Sequence, residues 1–159
     1  MKKPPQPLLT IVGTGPGVSL AVARRFHREG FRLALIARSA DKVRAYAEEL
    51  RGADAPDVRG YTADVTAPAA VAATFREIEA QQGATDVLVY NPSAFRETVP
   101  SELDFQTLVD DFKISCAGLL PSVQAVLPAM RARGGGKIFV TGGGTALEPY
   151  PLYASLGVG

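Results

Sequence analysis

Between Ile11 and Leu20 an apolar run meets a glycine cluster, Gly13-Thr14-Gly15-Pro16-Gly17-Val18-Ser19, and a helical pattern follows it. Glycines this close together allow a tight turn at positive φ, and backbone without Cβ atoms lets a flat ligand come near. The helix beyond turns its unpaired N–H groups and its positive dipole end toward that turn. The chemistry open to this stretch is therefore anion binding, of phosphate above all. Gly13, Thr14, Gly15, Gly17 and Val18 are the candidate contacts. The dinucleotide fingerprint G-x-G-x-x-G is not met literally, because after Gly13 and Gly15 its third glycine falls on Val18. A glycine-rich strand-to-helix turn with no ligand is the competing reading.

A second candidate is Arg38-Ser39, directly after the apolar run Arg32 to Ala37. In a doubly wound sheet the end of that strand lies over the adenosine ribose of a bound dinucleotide, where a carboxylate would take the 2′-hydroxyl of NAD. Arg38 offers instead the charge and forked geometry that suit a 2′-phosphate, which favours NADP over NAD. An ordinary surface arginine is the alternative. Ser39 reads as a helix N-cap, a role it can combine with phosphate binding. Other reactive types offer less. Asp110 and Asp111, adjacent on a helix, diverge by about 100° and are read as solvated. His27 falls in the last turn of a helix and suits its dipole. Cys116 reads as a small core residue.

These residues need elements to hold them, and the apolar pattern supplies alternating strands and helices. Leu8 to Val12, Arg32 to Ala37, Val58 to Thr62, Asp86 to Tyr90 and Lys137 to Thr141 read as strands; the first is apolar on both faces, as a covered parallel sheet requires. Helices are expected over Val18 to Glu29 (Val18, Ala21, Val22 and Phe26 inward, Gly30 closing it) and over Asp41 to Arg51 (Val43, Tyr46, Ala47 and Leu50 inward, Gly52 closing it). A third covers Ala67 to Gln82, burying Val71, Phe75 and Ile78, with Gly83 as its stop and Thr66 as a possible cap. Ser101-Glu102-Leu103-Asp104 has a capping-box shape and starts a helix running to about Arg133, with Pro121 expected to kink it and Pro128 near its end. Such a βα succession implies an α/β fold, a Rossmann-like doubly wound parallel sheet in the order 3-2-1-4-5 with helices on both faces.

Read as G-x-x-x-G-x-G, the first loop gives Gly13, Gly17 and Ser19, and this spacing resembles the T-G-x-x-x-G-x-G loop of the short-chain dehydrogenase/reductase family. Asp64-Val65 matches the family's D-V pair, and Asp86-Val87-Leu88-Val89-Tyr90-Asn91-Pro92-Ser93 looks like its D-x-L-V-N-N-A-G. Gln124 to Met130 is similar to the end of its long fourth helix. The resemblance, carried by stations in the same order, covers essentially the whole chain as one domain. It implies an NADP-dependent oxidoreductase acting between NADP(H) and a small carbonyl or alcohol substrate, and a homo-oligomer. Asp64 and Val65 would border the adenine, while Asn91 and Pro92 would line the nicotinamide side. Pro92 removes a backbone donor that the family's loop has.

The family's catalytic pattern is matched only in fragments. Its Tyr-x-x-x-Lys pair works because the cation brings a phenol, normally near 10, toward the working pH. Here Tyr153 is the candidate acid in one alignment, with Gly157 at the Lys position; in the other, Leu156 falls at the Tyr. Ser115 stands at the family's Asn and Gly143 at its Ser. Three readings follow: a divergent reductase using Tyr153, with Tyr150, Thr141 or Thr145 in new roles; a non-catalytic NADP-binding sensor or scaffold; or a chain that lacks the further helix, strands and substrate loop with which family members continue.

Composition sets outer limits. The 159 residues suit one domain with a real core, and 47% hydrophobic with 21% charged residues argues against disorder. Seventeen basic against sixteen acidic residues leave +1, so no nucleic-acid or anionic-membrane footprint is expected. The single cysteine excludes an internal disulfide and a multi-cysteine metal site and points to a cytoplasmic setting. No signal peptide and no apolar run near the roughly 20 residues of a membrane helix are read from the sequence.

Overall fold

The computed structural model describes residues 6–51 and 56–158. The reading placed on Gly52 lies outside them. Five strands, β1 (Leu8–Val12), β2 (Arg32–Ala37), β3 (Val58–Thr62), β4 (Val87–Tyr90) and β5 (Lys137–Val140), form one parallel sheet in the order β3-β2-β1-β4-β5. The connections carry α1 (Val18–Arg28), α2 (Ala40–Leu50), α3 (Pro68–Gln82), α4 (Phe105–Phe112) and α5 (Leu119–Ala132). This is the doubly wound architecture expected from the apolar runs.

Strand alternation divides the core in two. Leu8 and Val12 of β1 join Ile36, Tyr61, Val71, Phe75, Ile78, Tyr90, Val126 and Met130 on the face covered by α3 and α5. Leu9 and Ile11 join Leu20, Ala23, Leu35, Val43, Ala47 and Val89 on the face covered by α1 and α2. Thr10, fully buried between them in sequence, shares a 2.7 Å hydrogen bond with the hydroxyl of Thr85. A buried hydroxyl is tolerable there because it is paired.

Several local expectations are corrected. In α1 the buried residues are Ser19, Leu20 and Ala23, while Val18 is 60% exposed. Val22 and Phe26 pack against the core as expected, while Val18 and Ala21 are exposed and Leu20 and Ala23 take the buried places, with Ser19 turned in to bond Gly15. Thr66 does not cap α3. Its amide and hydroxyl both bond Asp64 Oδ1, at 2.8 and 2.7 Å, and the helix opens on Pro68, whose missing N–H costs nothing at that position. The fourth helix starts at Asp104, not Ser101: the Asp104 carboxylate accepts from the amide of Thr107 at 2.9 Å.

The largest departure is inside that helix. Lys113–Ala117 forms a π-turn between α4 and α5, so the break lies before Pro121 and not at it. Pro121 sits in the first turn of α5, directly after the π-turn, where the regular ladder is already interrupted. Taken together, Phe105–Ala132 is a 28-residue helix long and apolar enough, by length and composition alone, to cross a membrane, contrary to the sequence reading. Part of its apolar surface, Ile114, Leu119, Val123, Val126 and Met130, packs on the sheet. Phe105, Phe112 and Leu120 are exposed, as are Ile138, Phe139 and Val140 of the edge strand β5.

Candidate functional site

The carboxyl ends of β1, β2, β3 and β4 meet around a groove of about 260 Å³. Of the predicted residues, Gly13, Thr14, Arg38, Val65, Asn91 and Pro92 line it. Ala63, Ser93 and Ile114, which the sequence reading did not single out as contacts, line it too. Ala63 and Ile114 together with Val65 make an apolar wall. Ile114 is far from the other groove residues in sequence and carries no local signal of its place there.

The glycine loop is shaped by its own hydrogen bonds. The amides of Gly13 and Thr14 both donate to the carbonyl of Ile36, at 3.0 and 2.9 Å. The amide of Gly15 donates to Ser19 Oγ at 2.8 Å, and that hydroxyl donates back to the Gly15 carbonyl at 3.1 Å. Ser19, which stands where the family pattern has glycine, thus acts as an internal strut. Gly13 has φ +80°, and a Cβ on it would lie 2.6 Å from the backbone nitrogen of Pro92. Gly15 and Gly17 differ: a Cβ on either meets nothing within 4 Å. Packing does not explain these two glycines, and the open space beside the uncapped start of α1 is what a phosphate-bearing ligand would need.

Arg38 lies at one end of the groove, exposed, and makes no salt bridge among the described residues. Ser39 caps α2, accepting from the amide of Lys42 at 3.4 Å. Asp64 is held below the usual carboxylate range by the amide and hydroxyl of Thr66, with a smaller contribution from Arg38. At the other end Asn91 ties three strand ends together. Its amide bonds Val12 O, its side chain donates to Gly13 O at 3.2 Å, and it accepts from Thr141 Oγ1 at 3.0 Å.

Tyr153 does not line this groove. It borders a separate apolar hollow of about 580 Å³ with Pro100, Leu103, Leu108 and Tyr150. The segment carrying it pairs with Thr98, and its ring lies against Phe95. The hydroxyl donates to Glu97 Oε1 at 3.3 Å, and partial burial and then the Glu97 charge push its pKa up, the opposite of what a neighbouring lysine would do. Gly143, at the family's Ser position, has Thr145 Oγ1 3.3 Å from where a Cβ would stand, and that hydroxyl is buried without a partner among the described residues. Ser115, at the Asn position, accepts from the amide of Ala94 at 3.1 Å and so holds the loop after β4.

Asp111 corrects the expectation of a solvated pair. Asp110 is exposed and bonded to Lys113, but the Asp111 side chain is only 2% exposed and receives the Arg96 fork at 3.1 and 3.3 Å. Arg96 holds the Asp111 carboxyl below its ordinary value, against the effect of burial. A carboxylate with a depressed folded-state pKa adds stability above the unfolded value, about 3.9, and loses it as pH falls through the folded value. Asp111→Asn is therefore expected to lower the urea midpoint at neutral pH, with the gap to wild type closing below about pH 4. A gap independent of pH would remove the ion pair from the account.

Residues 8–156 match the family model described as short chain dehydrogenase. A curated relative, D-threitol dehydrogenase of Mycolicibacterium smegmatis, is 30% identical over 80% of this chain and 49% of its own length. Among solved structures, a variant of actinorhodin polyketide ketoreductase with NADPH superposes with a TM-score of 0.89 at 26% identity, over 96% of this chain and 59% of that one. An NAD⁺-bound xylitol dehydrogenase also gives 0.89, at 22% identity over 98% of this chain and 60% of that one, a likeness of fold. The chain spans about half the length of the curated relatives it matches.

Proposed function

The chain belongs to the short-chain dehydrogenase family, and on that premise we propose that it binds NADP(H) in the groove and serves an oxidoreductase acting on a small carbonyl or alcohol. The observation that carries the cofactor choice is Arg38: a guanidinium without a salt bridge among the described residues, at the end of β2, where an NAD site would present a carboxylate. In this reading Arg38 and Ser39 take the 2′-phosphate. The adenine lies along Ala63, Val65 and Ile114, with Asp64 at its border. Because the amides of Gly13 and Thr14 already donate to the Ile36 carbonyl of β2 and that of Gly15 to Ser19 Oγ, these residues shape the pyrophosphate seat, and the amides of Gly17 and Val18, without an acceptor among the described residues, are left for the charge. Asn91 and Pro92 line the nicotinamide side. When bound, the nicotinamide would supply or accept the hydride; the chain's part is to orient it, and Tyr153, which borders the separate hollow and not the groove, is the candidate acid.

The test is parallel calorimetric titration with NADPH and NADH. Arg38→Asp is expected to weaken NADPH about 10- to 100-fold, the worth of a charge-assisted contact, and to leave NADH nearly unchanged. Equal loss of both would end the 2′-phosphate assignment. One observation favours a second reading, a non-catalytic NADP-binding protein: the Tyr153 hydroxyl donates to Glu97, and no cation among the described residues bonds it. A panel of small carbonyls separates the two. NADPH consumption with any of them supports the reductase; tight binding with no consumption supports the sensor.

A further inference from the structure

Tyr90 ends β4 on the covered side of the sheet, 1% exposed, and stands where the family pattern has asparagine. Its hydroxyl does not reach the groove. It donates to the carbonyl of Ile114 at 2.6 Å. In an α-helix that carbonyl would accept from the amide of Gly118; here Gly118 N donates one residue further back, to Lys113 O at 2.9 Å. The hydroxyl thus takes the place of the Gly118 amide at the Ile114 carbonyl, a side chain inserted into the helical ladder where the π-turn forms. The insertion is possible because residue 118 is glycine: a Cβ there would lie 2.6 Å from the Tyr90 hydroxyl.

The consequence reaches the groove. The turn that Tyr90 opens carries Ile114, on the apolar wall with Ala63 and Val65, and Ser115, whose hydroxyl accepts the amide of Ala94. We infer that Tyr90 is a positioning residue of the groove, its hydroxyl holding the π-turn that seats Ile114 on the adenine wall and Ser115 under the loop after Ser93. The inference rests on the reading of this groove as the NADP(H) site.

Tyr90→Phe removes one oxygen and keeps the ring, so the core stays filled. Two readouts are taken on the same protein: amide hydrogen exchange without cofactor, and NADPH affinity. Loss of one buried hydrogen bond should raise exchange in residues 113–118 and 93–98 about tenfold, with strands β1 and β2 unchanged, and should raise the NADPH Kd about five- to tenfold. Ser115→Ala, which severs only the link to Ala94, should raise exchange in 93–98 alone and the Kd by less; it serves also if Tyr90→Phe fails to fold. Unchanged exchange in 113–118, a uniform loss of protection across the sheet, or altered exchange with an unchanged Kd would each overturn the inference. If the wild-type protein binds neither NADPH nor NADH, the cofactor reading fails by itself, and Tyr90 with it as a groove residue, while the exchange pattern still decides whether it holds the turn.

Discussion

Gly13→Ala is expected to cost about 2–5 kcal/mol, a large share of the stability of a domain of this size, and to abolish cofactor binding. Two independent penalties meet at this residue. At φ +80° an alanine bears the left-handed penalty of about 1–2 kcal/mol. Its Cβ would also stand 2.6 and 2.9 Å from the backbone N and Cα of Pro92, and a proline in a loop pinned by Asn91 has nowhere to go, so overpacking adds about 1–3 kcal/mol. Urea denaturation followed by circular dichroism reads the effect. Gly15→Ala is the informative contrast. Its Cβ meets nothing and its φ is not left-handed, so stability should stay within about 0.5 kcal/mol while NADPH affinity falls. A Gly13→Ala protein as stable as wild type would mean that the Gly13–Pro92 approach is not what fixes the loop. A Gly15→Ala protein that binds NADPH normally would take the phosphate away from this side of the loop.

The contrast between those glycines also shows what the sequence could and could not convey. The inner strands β1, β2 and β4 announce themselves because residues buried on both faces are apolar almost throughout, whereas the edge strands β3 and β5, half-buried or exposed, were legible from the regular βα succession that also implied the sheet order. Arg38 was legible for a topological reason: the end of the second strand lies at a fixed place in any doubly wound sheet. What escaped depends on partners distant in sequence. The Asp111 carboxylate is paired by Arg96, 15 residues earlier, and the π-turn is set by Tyr90, whose hydroxyl reaches a carbonyl 24 residues on. Period-based reading of a helix has no means of seeing a hydroxyl that arrives from the sheet. Tyr153 illustrates a different gap. A tyrosine suits an acid by residue type, but its electrostatic surroundings are set by Glu97 on another loop, and no spacing within its own segment reveals that.

Gly118→Ala tests the same joint from the helix side and carries the second large expected effect. The methyl would stand 2.6 Å from the Tyr90 hydroxyl, 2.8 Å from the backbone oxygen of Val65 and 2.9 Å from its Cβ. Val65 belongs to the groove wall and Tyr90 is fully buried, so neither yields without moving the site, and a cost of about 3 kcal/mol, at the top of the usual overpacking range, is expected. The two substitutions should not add. In a Tyr90→Phe background the oxygen nearest the new methyl is gone and only the Val65 contacts resist, so Gly118→Ala should cost less there by about 1 kcal/mol, measured as a double-mutant cycle in urea midpoints. A cycle that closes to within about 0.3 kcal/mol would show that residue 118 is glycine on account of Val65 alone. A clear coupling would tie the glycine to the hydroxyl, and through the Ile114 carbonyl to the wall of the groove.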